Sequence, residues 1–213
     1  MARKTNISRF SAITRPLRRW SAWLRGIRVS ADTSPLSPYA NDFDFGVAVD
    51  NGSAFKLTAF FAGIRLISEN IASLPKTVKK EDDRGSAVTD RNHPVNLVLH
   101  HPNGYTNGMV FWMTIVTWIK GWGNAYAIIK RDPAGRPVEL HQVHPSCMQV
   151  SVSRGRKWYR VTMSAPEFNY LDGLYSDDDV LHFMELTQDG IKGINPVISN
   201  ALALGKSLAQ EKF

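Results

Sequence analysis

The chain has 213 residues, 43% of them apolar and 21% charged, with a formal charge of +7. This length and balance suit one or two folded domains and exclude a disordered or low-complexity chain. A single cysteine, Cys147, excludes an internal disulfide scaffold and fits a reducing compartment. The longest nearly unbroken apolar run, Met109 to Ile119, is too short to span a bilayer.

The charge is unevenly placed. Residues 1–30 hold Arg3, Lys4, Arg9, Arg15, Arg18, Arg19, Arg25 and Arg28 and no acid, giving +8; the remaining 18 basic and 19 acidic residues leave −1. Such an arm can neutralise nucleic-acid phosphate or dock on a partner. Leu17, Trp20, Trp23, Leu24 and Ile27 can also form one face of a short amphipathic helix, suited to a membrane or partner surface. The plainest alternative is a solvated tail that orders only in an assembly. No apolar stretch follows the basic residues as a secretory signal requires, whereas the acid-free, Arg-rich composition also matches a transit peptide. Residues 31–54 are rich in Ser, Pro, Asn, Asp and Gly and read as an irregular connector. A disordered basic arm with its connector, 1–54, is therefore expected ahead of a body that begins near Phe55.

Within the body, Lys56 to Leu74 has the helical period, with Phe60, Ile64, Ile67, Ile71 and Leu74 on one face and Pro75 as its stop. Lys76 to Lys80 and Gly85 to Val88 predict a short hairpin around Asp82, Asp83 and Arg84. Pro94 to His100 is a short helix closed by the turn at His101-Pro102-Asn103-Gly104. The His100-His101 pair stands at its end, where cationic side chains suit the dipole. Thr106 to Gly121 is the second long helix, with Met109, Trp112, Met113, Val116 and Ile119 expected inward. Strands follow: Ala125 to Arg131, Pro137 to Val143, Met148 to Val152, Trp158 to Met163 and Val180 to Met184. Asn195 to Phe213 is the last helix, with Pro196 in its first turn, and it meets no stop signal, as expected of a fragment of a longer protein. The fold class is α+β: mainly antiparallel sheet segments against three main helices.

Candidate chemistry is sparse. Gly205-Lys206-Ser207 resembles the end of a phosphate-binding loop, but Asn200 stands where that loop needs glycine, and a small residue on a packed helix accounts for the triplet better. His141, His144 and Cys147, with His182 as a remote fourth, have zinc-ligand chemistry in a strand-end context where such spacing converges badly. Asp177, Asp178 and Asp179 can hold a divalent cation or simply cap a strand. No nucleophile-elbow pattern occurs. Trp118 and Trp122 are expected to cover a subunit contact, since exposed tryptophan favours interfaces.

A series of short tags then runs from Lys56 to Phe213: Ile71-Ala72-Ser73-Leu74-Pro75, His93-Pro94, His101-Pro102-Asn103, Phe111-Trp112, Gly123-Asn124-Ala125-Tyr126, Glu139-Leu140, His144-Pro145, Trp158-Tyr159-Arg160-Val161, Val180-Leu181-His182-Phe183, and Asp189-Gly190-Ile191-Lys192-Gly193-Ile194-Asn195-Pro196. In this order they resemble the amino-terminal half of the portal proteins of tailed bacteriophages. Asn195 stands where that family commonly has Ser, and both residues cap helices well.

The resemblance implies a wing-like body, 55–194, and the start of a long helix, 195–213, cut short relative to the family. It implies a structural subunit rather than an enzyme, with no cofactor and no membrane partner. The subunit would sit in a homo-oligomeric, dodecameric ring at the portal vertex of the virion capsid. Double-stranded DNA is packaged and ejected through that ring, which is also the head–tail connector. Terminase, capsid or scaffold and head–tail adaptor proteins are the implied partners, and the host cytoplasm is the place of assembly. The alternatives are a stand-alone nucleic-acid-binding protein that uses the Arg-rich arm, and a metal-dependent hydrolase that uses His141, His144 and Asp177 to Asp179.

Overall fold

Helix caps and paired turns cut the apolar patterns into elements. The computed structural model describes residues 28–29 and 49–211. In chain order these form β1 (Arg28–Val29), α1 (Asn51–Ala54), α2 (Thr58–Ser73), β2 (Lys79–Glu81), β3 (Ala87–Thr89), α3 (Pro94–His100) and α4 (Gly108–Trp122). Then come β4 (Asn124–Arg131), β5 (Pro137–Val143), β6 (Met148–Ser153), β7 (Arg156–Val161), β8 (Gly173–Ser176), β9 (Val180–Met184), α5 (Pro196–Ser199) and α6 (Ala201–Glu211). Short 3-10 turns at Pro145–Cys147 and Pro166–Leu171 complete the set.

Every strand pair is antiparallel, in three sheets ordered β1-β6-β7-β8, β2-β3 and β5-β4-β9. β4 is the centre of its sheet and is covered on both faces. Ala125 and Ala127 pack with Phe111 and Ile115 of α4, Val98 of α3 and Leu140 of β5. Tyr126 and Ile128, on the other face, pack with Val150, Tyr159 and Val161 of the four-stranded sheet. That double burial suits the apolar stretch Ala125 to Ile129, which is buried on both faces over residues 124–128 instead of alternating between buried and exposed. The layers therefore stack as α2, α4, three-stranded sheet, four-stranded sheet.

Local chemistry sets the boundaries. Asn107 caps α4 by accepting from the Val110 amide at 2.9 Å, and Gly123 ends it in the left-handed region at φ 75°. α2 ends before Pro75, and the Lys76 ammonium donates to the carbonyls of Ala72 and Leu74 at its open end. Arg154 and Gly155, both at positive φ, make the two-residue turn between β6 and β7.

Several expectations change. α1 lies inside the expected connector: the Asp50 carboxylate accepts from the Ser53 amide while the Ser53 hydroxyl accepts from the Asp50 amide. Only four residues long, it carries no periodic signal. On α2 the buried residues are Ile64, Ser68 and Ala72, whereas Ile67, Ile71 and Leu74 are exposed. The helix is apolar on more than one side, and the small Ser68 and Ala72 allow the close approach to α4. On α4 the buried stripe is Gly108, Phe111, Ile115 and Val116, and Met109 points outward. β8 is an added edge strand, and β1 pairs Arg28 with Val152 on the opposite edge. The last helix is two helices, broken at Asn200.

Candidate functional site

Of the arm residues, Arg3, Lys4, Arg9, Arg15, Arg18, Arg19 and Arg25 lie outside the described residues; for Arg28 the backbone alone is described, on β1. Trp118 and Trp122 are half-buried, and both set an edge against the His144 ring, at centroid distances of 5.2 and 4.7 Å. Phe55 stacks on Trp122 at 5.4 Å. The two tryptophans thus spend much of their surface inside the chain, sheltering a histidine whose pKa burial lowers.

The residues considered as a metal set are separated into different tasks. His141 is buried; its Nε2–H donates to Glu139 at 2.7 Å, and its Nδ1 faces the hydroxyls of Tyr105 and Tyr170. His144 Nδ1 lies 2.7 Å from the Ser146 hydroxyl. Asp177 and Asp178 are both paired with Arg156, and Asp179 with Arg131. Among the described residues no group of three or more His, Cys, Asp or Glu side chains could hold a metal ion. Gly205 is buried within α6, as a packed small residue.

What the fold does assemble is a junction between β4, β9 and the segment that leads into α5. Gly123 ends α4, and its carbonyl accepts from the Glu185 amide at 2.9 Å. A Cβ on Gly123 would overlap the Ile194 carbonyl, and a Cβ on Gly193 would overlap the Gly123 carbonyl. The two backbones touch because both residues are glycine. The next residue, Asn124, is buried and fully used. Its Oδ1 accepts from the Gly193 amide at 2.8 Å and from His182 Nε2 at 3.0 Å; its Nδ2 donates to the Gly193 carbonyl at 2.9 Å and more weakly to Trp122.

These bonds fix the His182 tautomer, with the proton on Nε2, so Nδ1 accepts from the Tyr159 hydroxyl at 3.3 Å. Tyr126 stacks on the ring at 4.4 Å. Burial, with lesser help from Lys157 and Lys192, brings the His182 pKa down to about 3, so the imidazole is neutral. Burial together with Asp177 pushes the Tyr159 phenol up to about 12. One histidine thereby joins β7, β9 and β4. Lys120 closes the outer side with an ion pair to Glu185 at 2.9 Å.

The segment 187–195 then delivers the last helices. Asp189 accepts from the Ile191 and Lys192 amides, and Asn195 caps α5 by accepting from Val197 and Ile198. Asn195 Nδ2 also donates to Asn51 of α1, and Asn51 donates to the Gly121 carbonyl. Losing this cap is expected to cost about 1–2 kcal/mol in Asn195→Ala, while Asn195→Ser stays within about 0.5 kcal/mol of the parent. Urea midpoints read the difference, and equal midpoints for both variants would remove the cap from the account. The part this arrangement plays is mechanical: it sets how α5 and α6 leave the sheets.

In the sequence Gly123-Asn124 and His182 stand in separate tags that do not disclose this joint task. The available signal was an Asn directly after a helix-ending Gly, with a second Gly-rich turn ahead of a capped helix.

The family profile described as phage portal protein matches residues 58–213. Protein BeeE of Escherichia coli (strain K12) is 31% identical over 115 residues, covering 53% of this chain and 71% of that protein. The portal protein of Enterobacteria phage HK97 is 24% identical over 200 residues, covering 91% of this chain and 46% of that protein. Among solved structures, a chain from the neck of an empty GTA particle superposes with a TM-score of 0.63 at 22% identity, over 79% of this chain and 46% of that chain. The chain thus spans less than half the length of the HK97 portal protein and of that neck chain.

Proposed function

Because the chain belongs to the phage portal protein family, we propose that it supplies the wing-like, amino-terminal part of a portal subunit. In this reading copies form a ring at the capsid vertex that conducts double-stranded DNA into and out of the head and joins head to tail. Terminase, capsid or scaffold and adaptor proteins are its partners. The carrying observation is that the two glycine-rich tags, 123–126 and 189–196, separated by more than sixty residues in sequence, meet in one hydrogen-bonded junction within the family match. The family is a structural one, and the junction is a joint rather than a reaction centre.

A ring subunit of this kind needs faces that bind other copies and a surface that does not hold DNA tightly. Each neutralised phosphate adds affinity, so a near-neutral body suits passage of DNA. The exposed Leu66 and Ile67 on α2, the outermost layer, and Leu74 just after it leave apolar surface for an assembly to cover.

The test is quantitative mass spectrometry and electron microscopy of DNA-filled particles that carry this protein. A dodecameric ring at one vertex is expected; copies spread over the whole shell, or absent from particles, would overturn the reading. The basic arm is assigned a contact with packaged DNA, shell or scaffold. Deleting residues 2–30 is expected to lower procapsid incorporation or DNA retention, and no change in either would make the arm dispensable.

A further inference from the structure

One element of the body has support only at its base. Among the described residues β2 and β3 pair only with each other, and all six of their residues are exposed. An isolated two-stranded hairpin is marginal in water at best. This one is tied down at its base, where the Asn96 side chain accepts from the Val78 amide and donates to the Asp90 carbonyl. Its far end is acidic. Asp82 closes the turn by accepting from the Arg84 and Ser86 amides, which leaves Glu81 and Asp83 projecting without a partner among the described residues. Against Arg84, the tip 81–84 carries a net −2.

Next to the base of the hairpin is an open groove of about 700 Å³. Leu97 and Val138 line it, and both are exposed. Its rim is basic and imidazole-rich: Arg91, His100 and His101 have no side-chain partner among the described residues. Arg136 is already engaged with Asp132, so the fixed charge of the groove is +1, centred on Arg91.

We propose that the acidic hairpin tip of one copy docks in the Arg91 groove of a second copy of this chain. The charge complementarity favours this occupant: the same body carries a −2 tip at the far end of the hairpin and a positive groove at its base, so each copy carries both halves of the contact. Tip into groove is a head-to-tail contact, the type that closes into a ring when the rotation per copy fits. The hairpin gains the packing it lacks, and the exposed Leu97 and Val138 are covered. This deepens the ring reading above and rests on it.

Charge exchange tests it. Asp83→Arg places two cations in each contact, Arg91→Asp places two anions, and the double variant restores an opposite pair. Native mass spectrometry and sedimentation over a concentration series are expected to show self-association of the parent, weakened by about tenfold or more in each single variant and recovered in the double. Both positions are exposed turn or loop sites, and matching circular dichroism and melting temperature check that the variants fold. Single variants that associate like the parent would overturn this contact and leave the ring reading standing. A parent chain that stays monomeric throughout would also overturn the contact, while the family assignment is unaffected. Loss in the singles without recovery in the double would show that the charges do not face each other.

Discussion

Gly123→Ala is expected to cost about 3–5 kcal/mol of a total that for such domains is about 5–15 kcal/mol. Two effects add. The residue sits at φ 75°, where a side chain is strained, and its Cβ would overlap the Ile194 carbonyl, which is backbone and cannot rotate away. Relief would require separating β4 from the 187–195 segment, and that breaks the Asn124 bonds to Gly193. Gly155→Ala is the matched control: it has a similar φ of 77° but nothing within 4 Å of the added carbon, so it should cost only about 1 kcal/mol. Urea denaturation of the two variants against the parent reads the contrast. Equal losses would mean that the close approach carries no energy. Gly193→Ala attacks the same contact from the other side, and combining it with Gly123→Ala should cost less than the sum, because one separation relieves both.

Acid should weaken the junction through His182. Its pKa falls from the ordinary 6.5 to about 3 in the folded chain, chiefly by burial, with Lys157 and Lys192 adding repulsion. Below pH 6.5 the unfolded chain takes up a proton that the folded chain refuses until about pH 3. Stability is therefore full above pH 6.5 and declines through that window, by about 3 kcal/mol in all after allowance for partial solvent contact.

Protonation would also put a hydrogen on Nδ1, which now accepts from the Tyr159 hydroxyl. In His182→Gln the amide still donates to Asn124 but does not titrate. It should lose about 1 kcal/mol at pH 7.5 through weaker bonding to Tyr159. Between pH 7.5 and pH 4.5 it should fall by about 2 kcal/mol less than the parent. Carboxylates such as Asp132 and Asp177, whose pKa values are lowered by their partners Arg136 and Arg156, add an acid loss of their own. That loss is common to both proteins and cancels in the difference. Parallel pH profiles would rule out His182 as the sensor.

Sequence reading went far with the elements and less far with their faces. The hairpin turns at Asp132 and Arg154-Gly155, the N-capped starts at Pro94 and Pro196, and the helix stop at Pro75 are local, so short-range chemistry specified them. The order of short tags carried the family because the residues that build the junction, Gly123, Asn124, His182, Gly193 and Asn195, all fall within them. The inward faces of α2 and α4 were only partly legible. Both helices are apolar on more than one side, and periodicity cannot say which side a neighbour covers.

The fate of the polar candidates was likewise a long-range matter. Three-residue spacing made His141, His144 and Cys147 look like one set, yet Glu139 holds the first, and Ser146 with two tryptophans from α4 holds the second. The two tryptophans likewise meet a partner, His144, more than twenty residues away along the chain. By itself, then, the sequence determined the charge split between arm and body, the turns, the caps and the tags, because each depends on neighbours along the chain. Only the tertiary structure decided that two distant glycine turns touch, that His182 is neutral between them, and that one hairpin stands exposed with a groove at its base. Those depend on which surfaces exclude water from one another, and that is settled when the layers stack.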